Sequence, residues 1–488
     1  MLASLILLWV FFSLLFFLFR EQRPKNFPPG PRLIPIFGST LHLNLINPLN
    51  DFRKLSERYG NVYSVYFGSF PVVVLNGLQA VKEGLVTHSA ESSGRPRGFL
   101  INQMTENKGV VLNDGPVWKM QRRFALMTLR NFGMGKNSMQ ARILKETSYI
   151  TSYLEKNAGK TIHPQTLFHN ATCNIICSVL YGTRLTYDDK FLQLIVRCIT
   201  QNNKILNCRW TLIYDSFPML RFLPMPCLKA IENYNTLKEG AVAQISQHKK
   251  SWVPGKPRDF LDCYLDEMEK RGDDKFSFSE SQLAILLLDF SMGGTDTTAN
   301  TFLTAFLYLM THPDVQERCQ KEIDEVLGEK EQVSFEDRHT MPYTQAVIHE
   351  VQRVADTVPL SIFHAITKDT RMMGYDIPKG TMIIPNLSSV LRDESQWKFP
   401  HEFNPSNFLN NEGEFVKPEA FIPFSAGPRL CPGEALTRME LFLILVTLLR
   451  RFKFIWPEDA GVPDYKPIFG FTHTPKPYRM VVRLRADH

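Results

Sequence analysis

Cysteine is scarce, with eight residues in 488, at positions 173, 177, 198, 208, 227, 263, 319 and 431. None forms a CxxC pair, which excludes a zinc ribbon, a thioredoxin-like centre and a disulfide ladder, and reads instead as reduced core thiols in a cytosolic setting. The sequence has no GxGxxG following a strand and no P-loop, so it carries no dinucleotide or nucleotide site of its own. Charge of one sign is nowhere concentrated. The 56 Lys and Arg and 49 Asp and Glu leave a net +7 spread over the whole length. That excludes a nucleic-acid stripe but suits an anionic membrane surface or an acidic protein partner. A 44% hydrophobic and 22% charged composition excludes disorder, collagen and a coiled-coil rod.

What is present begins with one long apolar run, Leu2 to Phe19, broken only by Ser4 and Ser13. Eighteen helical residues span about 27 Å, enough for a thin bilayer such as that of the endoplasmic reticulum. No basic residue precedes the run and no small-x-small cleavage site follows it, so it reads as an uncleaved anchor. Arg20, Arg23, Lys25 and Arg32 all follow it, which places the body in the cytosol. The sequons at Asn170 and Asn386 are then expected to carry no glycan. Pro28 to Pro31 (PPGP) reads as a stiff, extended spacer. The expected layout is an anchor over 1–20, a linker over 21–36 and one large domain over 37–488.

Within that domain, Val62 to Leu75 reads as a hairpin. Residues 83–310 read mostly as helices, and 357–385 as short strands with Gly and Pro turns. A buried helix is expected over 433–452. Phe217 to Cys227 is a Pro- and Met-rich loop, either core or a surface touching membrane or substrate.

Four clusters carry chemistry. The first is Phe424 to Gly433 (FSAGPRLCPG). Cys431 is expected at the start of the last helix with Pro432 in its first turn, where the dipole and free N–H groups favour a thiolate. A thiolate is a soft ligand for iron. Gly427 and Gly433 would let backbone approach a flat cofactor, and Arg429 could pair with its acidic groups. The ordinary fate of a lone Cys is the core, but chance agreement of four flanking residues is about 1 in 10⁵ per Cys. The second is Gly293 to Thr298 (GGTDTT), in a helix starting near Ser281. Two glycines cost a helix interior about 1 kcal/mol each, so close approach of a ligand is expected there. The alternative, a C-cap and turn, conflicts with the helical pattern from Ala299 to Met310. The third is Glu350 and Arg353, three apart on one helix face. Alone they would be a surface ion pair, and Arg353 rules out a zinc HExxH. The fourth is Trp118 and Arg122, one helical turn apart.

Together these segments resemble the cytochrome P450 haem-thiolate monooxygenases, closest to the microsomal family-2 enzymes of vertebrates. The resemblance covers essentially the whole chain. It implies a mainly α fold, a helical prism with a small β-sheet region behind one transmembrane helix. It implies haem b (iron protoporphyrin) as cofactor, with Cys431 as iron ligand. Arg95, Trp118, Arg122, His364 and Arg429 match the residues that hold the cofactor's propionates, and Phe424 and Gly427 its proximal loop. Asp296 and Thr297 match an acid–alcohol pair that organises protons for dioxygen. Glu350 and Arg353 match a structural lock whose usual third partner, an arginine, is replaced here by Asn407. The pocket wall would include Phe99, Asp289, Phe290, Gly293, Thr298, Val358, Ile362, Phe363 and Phe471, mostly apolar, as suits a lipophilic substrate. Asp289 is the polar exception, either solvent-exposed or a contact for a basic or hydroxylated substrate. Electrons would come from NADPH-cytochrome P450 reductase, with cytochrome b5 as a second candidate donor. The docking face would be the basic set Arg122, Arg123, Arg130, Lys136 and Arg438. The implied activity is insertion of one oxygen atom of O2 into a fatty acid, steroid or xenobiotic. Two rivals are a haem enzyme that rearranges hydroperoxides without a reductase, and a non-catalytic haem sensor or carrier. Neither needs the acid–alcohol pair.

Overall fold

The computed structural model describes residues 8–10, 12, 23–132, 137–272 and 277–485. Most of the expected anchor, including Arg20, lies outside the described residues, as does Lys136. Among the described residues no helix is long and apolar enough to cross a membrane.

The body is mainly helical. Its longer helices are α1 (Leu49–Tyr59), α2 (Gly115–Asn131), α3 (Asn137–Lys156), α4 (Pro164–Leu180), α5 (Lys190–Leu206), α6 (Arg209–Ser216), α7 (Lys229–Lys249), α8 (Phe260–Arg271), α9 (Glu280–Thr311), α10 (Pro313–Leu327), α11 (Pro342–Ala355) and α12 (Glu434–Arg451). Four helices begin with Pro in their first turn: α2, α4, α10 and α11. There the missing N–H is harmless and φ is already helical.

Strands β1 (Val62–Phe67) and β2 (Phe70–Leu75) form the expected hairpin, paired from Val62 with Leu75 to Phe67 with Phe70. Strands β3 (Thr161–Ile162), β4 (His364–Ala365), β5 (Thr370–Met372), β6 (Tyr375–Ile377), β7 (Met382–Pro385), β8 (Phe452–Ile455) and β9 (Met480–Leu484) complete three small sheets, ordered β1-β2-β7-β4, β3-β9-β8 and β5-β6. The first sheet brings the 357–385 region onto the hairpin through the parallel β2–β7 pair.

Helix α9 runs through the largest core cluster and is buried nearly all round. Ser279 caps it by accepting the Gln282 N–H at 3.3 Å, and it continues unbroken through Gly293 and Gly294. Its closest neighbour is α4: a Cβ on Gly294 would lie 3.1 Å from Ile176. Close packing of α9 on α4 thus accounts for Gly294. Helix α12 is likewise buried along its length, with Glu434 in its first turn and Arg450 and Arg451 in its last, both complementing the helix dipole.

The Pro-rich segment is extended, as its prolines dictate, but it is docked on the body. Ser64 N–H donates to Pro29 O at 2.7 Å, and Ser64 Oγ donates to Pro28 O at 2.7 Å. Phe27 is buried in the cluster behind the hairpin. The segment from Phe27 onward thus packs as part of the folded body.

Candidate functional site

The cysteine loop lies between α12 and the segment around Leu85. Cys431 N–H donates to Phe424 O at 3.1 Å, closing the loop. Gly427 has φ +72°, and a Cβ there would overlap the carbonyl of Leu85. Gly427 is thus required by backbone packing, whatever else approaches it. A correction concerns Cys431. Helix α12 begins at Glu434 with Gly433 as its N-cap, so Cys431 and Pro432 precede the helix. Burial pushes the Cys431 thiol above its ordinary value, and the Gly433 and Glu434 N–H groups and Arg122 only oppose that rise. A thiolate at this position would have to come from a bound metal, which deprotonates its thiol outright. Cys431 is enclosed by protein yet only half-buried in accessible surface, as a side chain facing an internal space would be.

Gly293 is the open position of helix α9. It is exposed in the middle of a buried helix, and a Cβ built on it would meet nothing within 4 Å. Thr297, one turn on and on the same face, keeps accessible surface and donates its hydroxyl to Gly293 O at 2.6 Å. Asp296 does not join it. Its carboxylate is buried and turned to His169, Asn300 and Thr472. No hydrogen bond joins Asp296 to Thr297 among the described residues, because adjacent helical residues point about 100° apart. The expected acid–alcohol pair is not assembled.

The basic residues do converge. Arg429 is buried, lies 3.5 Å from the centre of the Trp118 ring, and donates to the carbonyls of Ser93 (3.0 and 2.7 Å) and Asn113 (2.8 Å). Trp118 Nε1 donates to Val110 O at 3.1 Å. Arg95 is buried and donates to Val111 O, Ile362 O and Phe363 O at 2.8, 2.9 and 2.8 Å. Arg122 donates to Leu430 O. His364 is buried on β4 and bonds Ser92 O through Nδ1 at 2.7 Å. Burial first, then mutual repulsion, pulls Arg95 down to about 9 and Arg429 to about 8, and holds His364 well below the ordinary imidazole range. Among the described residues no ion pair joins Arg95, Arg122 or Arg429 to a carboxylate; Asp114 pairs instead with Arg97. Three guanidiniums held by backbone carbonyls within reach of one another, with Arg122 bonded to the loop that carries a half-buried thiol, fit a flat, doubly anionic, metal-bearing cofactor.

The lock is complete behind this site. Arg353 and Glu350 are fully buried and joined twice at 2.7 Å. Arg353 also donates to the carbonyls of Leu391, Pro400, Phe399 and Glu402. Asn407 stands in the third place, its Nδ2 at 3.2 and 3.3 Å from Glu350 and at 3.1 Å from Phe399 O. A neutral amide serves where an arginine was expected.

The pocket residues divide. Phe99, Gly293, Val358, Ile362, Phe363 and Phe471 keep accessible surface. Three others are buried and have partners of their own. Asp289 is buried and accepts the N–H groups of Val110 (2.7 Å) and Val111 (3.0 Å), tying α9 to the loop before α2. Phe290 packs edge-on against Phe260, 5.5 Å away. Thr298 is buried toward Glu440 of α12. In the Phe217–Cys227 loop, Met225 and Cys227 are core, whereas Met219 and Phe222 are 78% and 80% exposed. No motif or spacing singled out His169, Asn203 or Thr472, which surround Asp296 from distant parts of the chain.

Comparison with known proteins agrees with this geometry. The family model for Cytochrome P450 matches residues 28–482. The chain is 42% identical over 464 residues to mouse (Mus musculus) Cytochrome P450 2F2, covering 94% of each chain. It is 41% identical over 489 residues to human (Homo sapiens) Cytochrome P450 2F1, covering 99% of each. Against mouse Cytochrome P450 2J5 it is 39% identical over 481 residues, covering 98% of this chain and 95% of the other. With its cysteine loop, its cationic cluster and its buried Glu–Arg lock, the chain belongs to the cytochrome P450 family, among the family-2 monooxygenases that use a haem-thiolate cofactor.

Proposed function

We propose that this chain is an endoplasmic-reticulum-anchored monooxygenase, its catalytic domain cytosolic, that inserts one oxygen atom of O2 into a lipophilic small molecule such as a fatty acid, steroid or xenobiotic. The cofactor is haem b, with Cys431 as its iron ligand. Bound there, haem supplies dioxygen activation and oxygen transfer. The chain's own residues do the rest. Arg95, Arg122, Arg429 and His364, with Trp118 as a platform, hold the two propionates. Phe424 and the Gly427 turn fix the cysteine loop. Gly293 leaves room at the oxygen side, and Thr297 holds a proton at Oγ1 on the edge of that room. Phe99, Val358, Ile362, Phe363 and Phe471 line the substrate side and exclude water.

NADPH-cytochrome P450 reductase supplies electrons, with cytochrome b5 as a second donor. Arg122 on α2 reaches the cysteine loop through Leu430, and Arg123 and Arg130 on the same helix are exposed; these form the docking face. Arg438, by contrast, is paired with Glu434 at 2.7 Å. Exposed Met219 and Phe222, and Leu8, Trp9 and Phe12 near the start of the chain, suit contact with lipid.

The observation that carries the reading is Cys431 set beside the cluster of Arg95, Arg122 and Arg429, whose guanidiniums are held by backbone carbonyls without a carboxylate ion pair of their own among the described residues. The test is a reduced, carbon-monoxide difference spectrum of the purified protein and of Cys431→Ser, followed by NADPH use and product mass with reductase over a panel of lipophilic substrates. A thiolate-type band in the wild type, absent in Cys431→Ser, is expected. A wild-type protein without bound porphyrin, or with porphyrin on an imidazole, would sink it.

A further inference from the structure

Asp296 is the centre of a buried polar network joining α4, α5 and α9 to the C-terminal loop 470–474. On α4, His169 Nε2 lies 3.2 Å from Asp296 Oδ1, while its Nδ1 lies 2.8 Å from Gln165 O. A carbonyl can only accept, so Nδ1 carries a hydrogen. In a neutral imidazole Nε2 would then be bare, facing a carboxylate oxygen. Two acceptors at hydrogen-bond distance require a proton between them, so the couple holds one proton more than neutral histidine plus carboxylate. On the other oxygen, Asp296 Oδ2 accepts from Asn300 Nδ2 at 3.0 Å and from the Thr472 hydroxyl.

From there the network fixes the loop. Asn203 on α5 accepts Thr472 N–H at 2.6 Å, accepts Phe471 N–H on its own carbonyl at 3.0 Å, and donates to Thr474 Oγ1 at 3.1 Å. Asn300 Nδ2 reaches Thr472 Oγ1 and Thr474 Oγ1 at 3.2 and 3.1 Å. Asn207 donates to Gly470 O. His169, Asp296, Asn300, Asn203 and Thr472 are all buried. Backbone groups at both ends of Phe471 are thus satisfied by this network rather than by water. Phe471 keeps accessible surface while its neighbours are buried.

We propose that His169 and Asp296 form a proton-sharing couple that sets the position of loop 470–474, and through Phe471 the selectivity of the enzyme for its lipophilic substrate. His169 is a positioning residue in this scheme. The inference rests on the proposed monooxygenase reading, in which Phe471 faces the substrate. Losing the donor at position 169 leaves a buried carboxylate with two donors where it had three, so Asn300 and Thr472 must re-aim to cover it, and the loop shifts with Thr472.

The test compares His169→Leu, His169→Gln, Thr472→Val and the double variant His169→Leu/Thr472→Val as full-length protein. Glutamine can present an N–H to Asp296; leucine cannot. Equilibrium dialysis gives dissociation constants for lipophilic ligands of graded length, and product analysis gives regiochemistry. His169→Leu and Thr472→Val should each shift some ligands by about tenfold and others little, with the same pattern. His169→Gln should return all of them to within about threefold. The double variant should shift the ligands by clearly less than the product of the two single effects, as sites acting through one network do. Wild-type constants in His169→Leu, additive effects in the double variant, or a uniform loss that glutamine does not rescue would overturn the proposal. If His169→Leu does not fold, Thr472→Val and His169→Gln still read it, through an altered and an unaltered ligand pattern. A missing porphyrin band in the wild type would refute the monooxygenase reading instead, while the dialysis constants would still report on the loop.

Discussion

Replacing Cys431 by serine keeps the volume and removes the only soft ligand in the loop. Oxidation supported by NADPH and reductase should fall to background, while far-ultraviolet circular dichroism stays unchanged, because the loop is shaped by Gly427 and by the bond from Cys431 N–H to Phe424 O. Asp289, expected to be either solvent-exposed or a substrate contact, is buried against backbone. Its carboxylate holds two backbone N–H groups, so Asp289→Ala should cost about 1–3 kcal/mol for each donor left bare, read as a lower unfolding midpoint. Burial, only partly offset by the Val111 and Val110 N–H groups, raises its pKa from 3.8 to about 7. A carboxyl whose folded pKa exceeds its unfolded one binds more protons when folded, so it stabilises less as pH climbs from about 4 to 7. An asparagine side chain in its place could accept both N–H groups without ionising. The midpoint of Asp289→Asn relative to wild type should therefore rise as pH is taken from 5 to 8, and a difference independent of pH would refute this. Asp289 and Asp296 show what residue types alone leave open. A carboxylate on an apolar helix can face ligand, loop or neighbouring helix, and only the packing of α4 and of residues 109–111 decides.

The elements make a sharper contrast at Gly293 and Gly294, which look alike in the sequence. Gly293→Ala places a methyl in open space and removes a flexible residue from a helix interior, so it should stabilise the protein stripped of cofactor by up to about 1 kcal/mol while reducing cofactor retention. Gly294→Ala pushes α9 off Ile176 and should destabilise both forms. Thermal unfolding with and without porphyrin separates the two. In α11, Glu350→Leu leaves Arg353 buried without its carboxylate and should cost about 3–5 kcal/mol, and Asn407→Ala about 1–3 kcal/mol, both measured by denaturant titration. The hairpin, the buried last helix and the Glu–Arg spacing were legible because periodicity and spacing are local. The start of α12 three residues past Cys431, and the docking of Pro28 to Pro31 on Ser64, were not, because both depend on partners far along the chain.

At the scale of the whole molecule the basic face of α2 leads outward. Charge reversal at Arg123 or Arg130 should raise the apparent KM for reductase several-fold, and added salt should reproduce the effect in the wild type; a KM unmoved by either would refute that face. The family and the core of the site could be read from four short motifs, since each is a spacing that chemistry constrains. Substrate identity could not, since the apolar side chains around Phe99, Phe363 and Phe471 differ in kind very little from ordinary core. The gathering of Arg95, Arg122 and Arg429 has a consequence beyond the reaction. Like charges gathered at folding, only partly offset by Asp114, are relieved by an anion that binds the folded chain, so binding of an anionic cofactor should stabilise this polypeptide and lengthen its lifetime in a cell. When iron or porphyrin runs short, newly made chains should be degraded sooner, read as a shorter pulse-chase half-life.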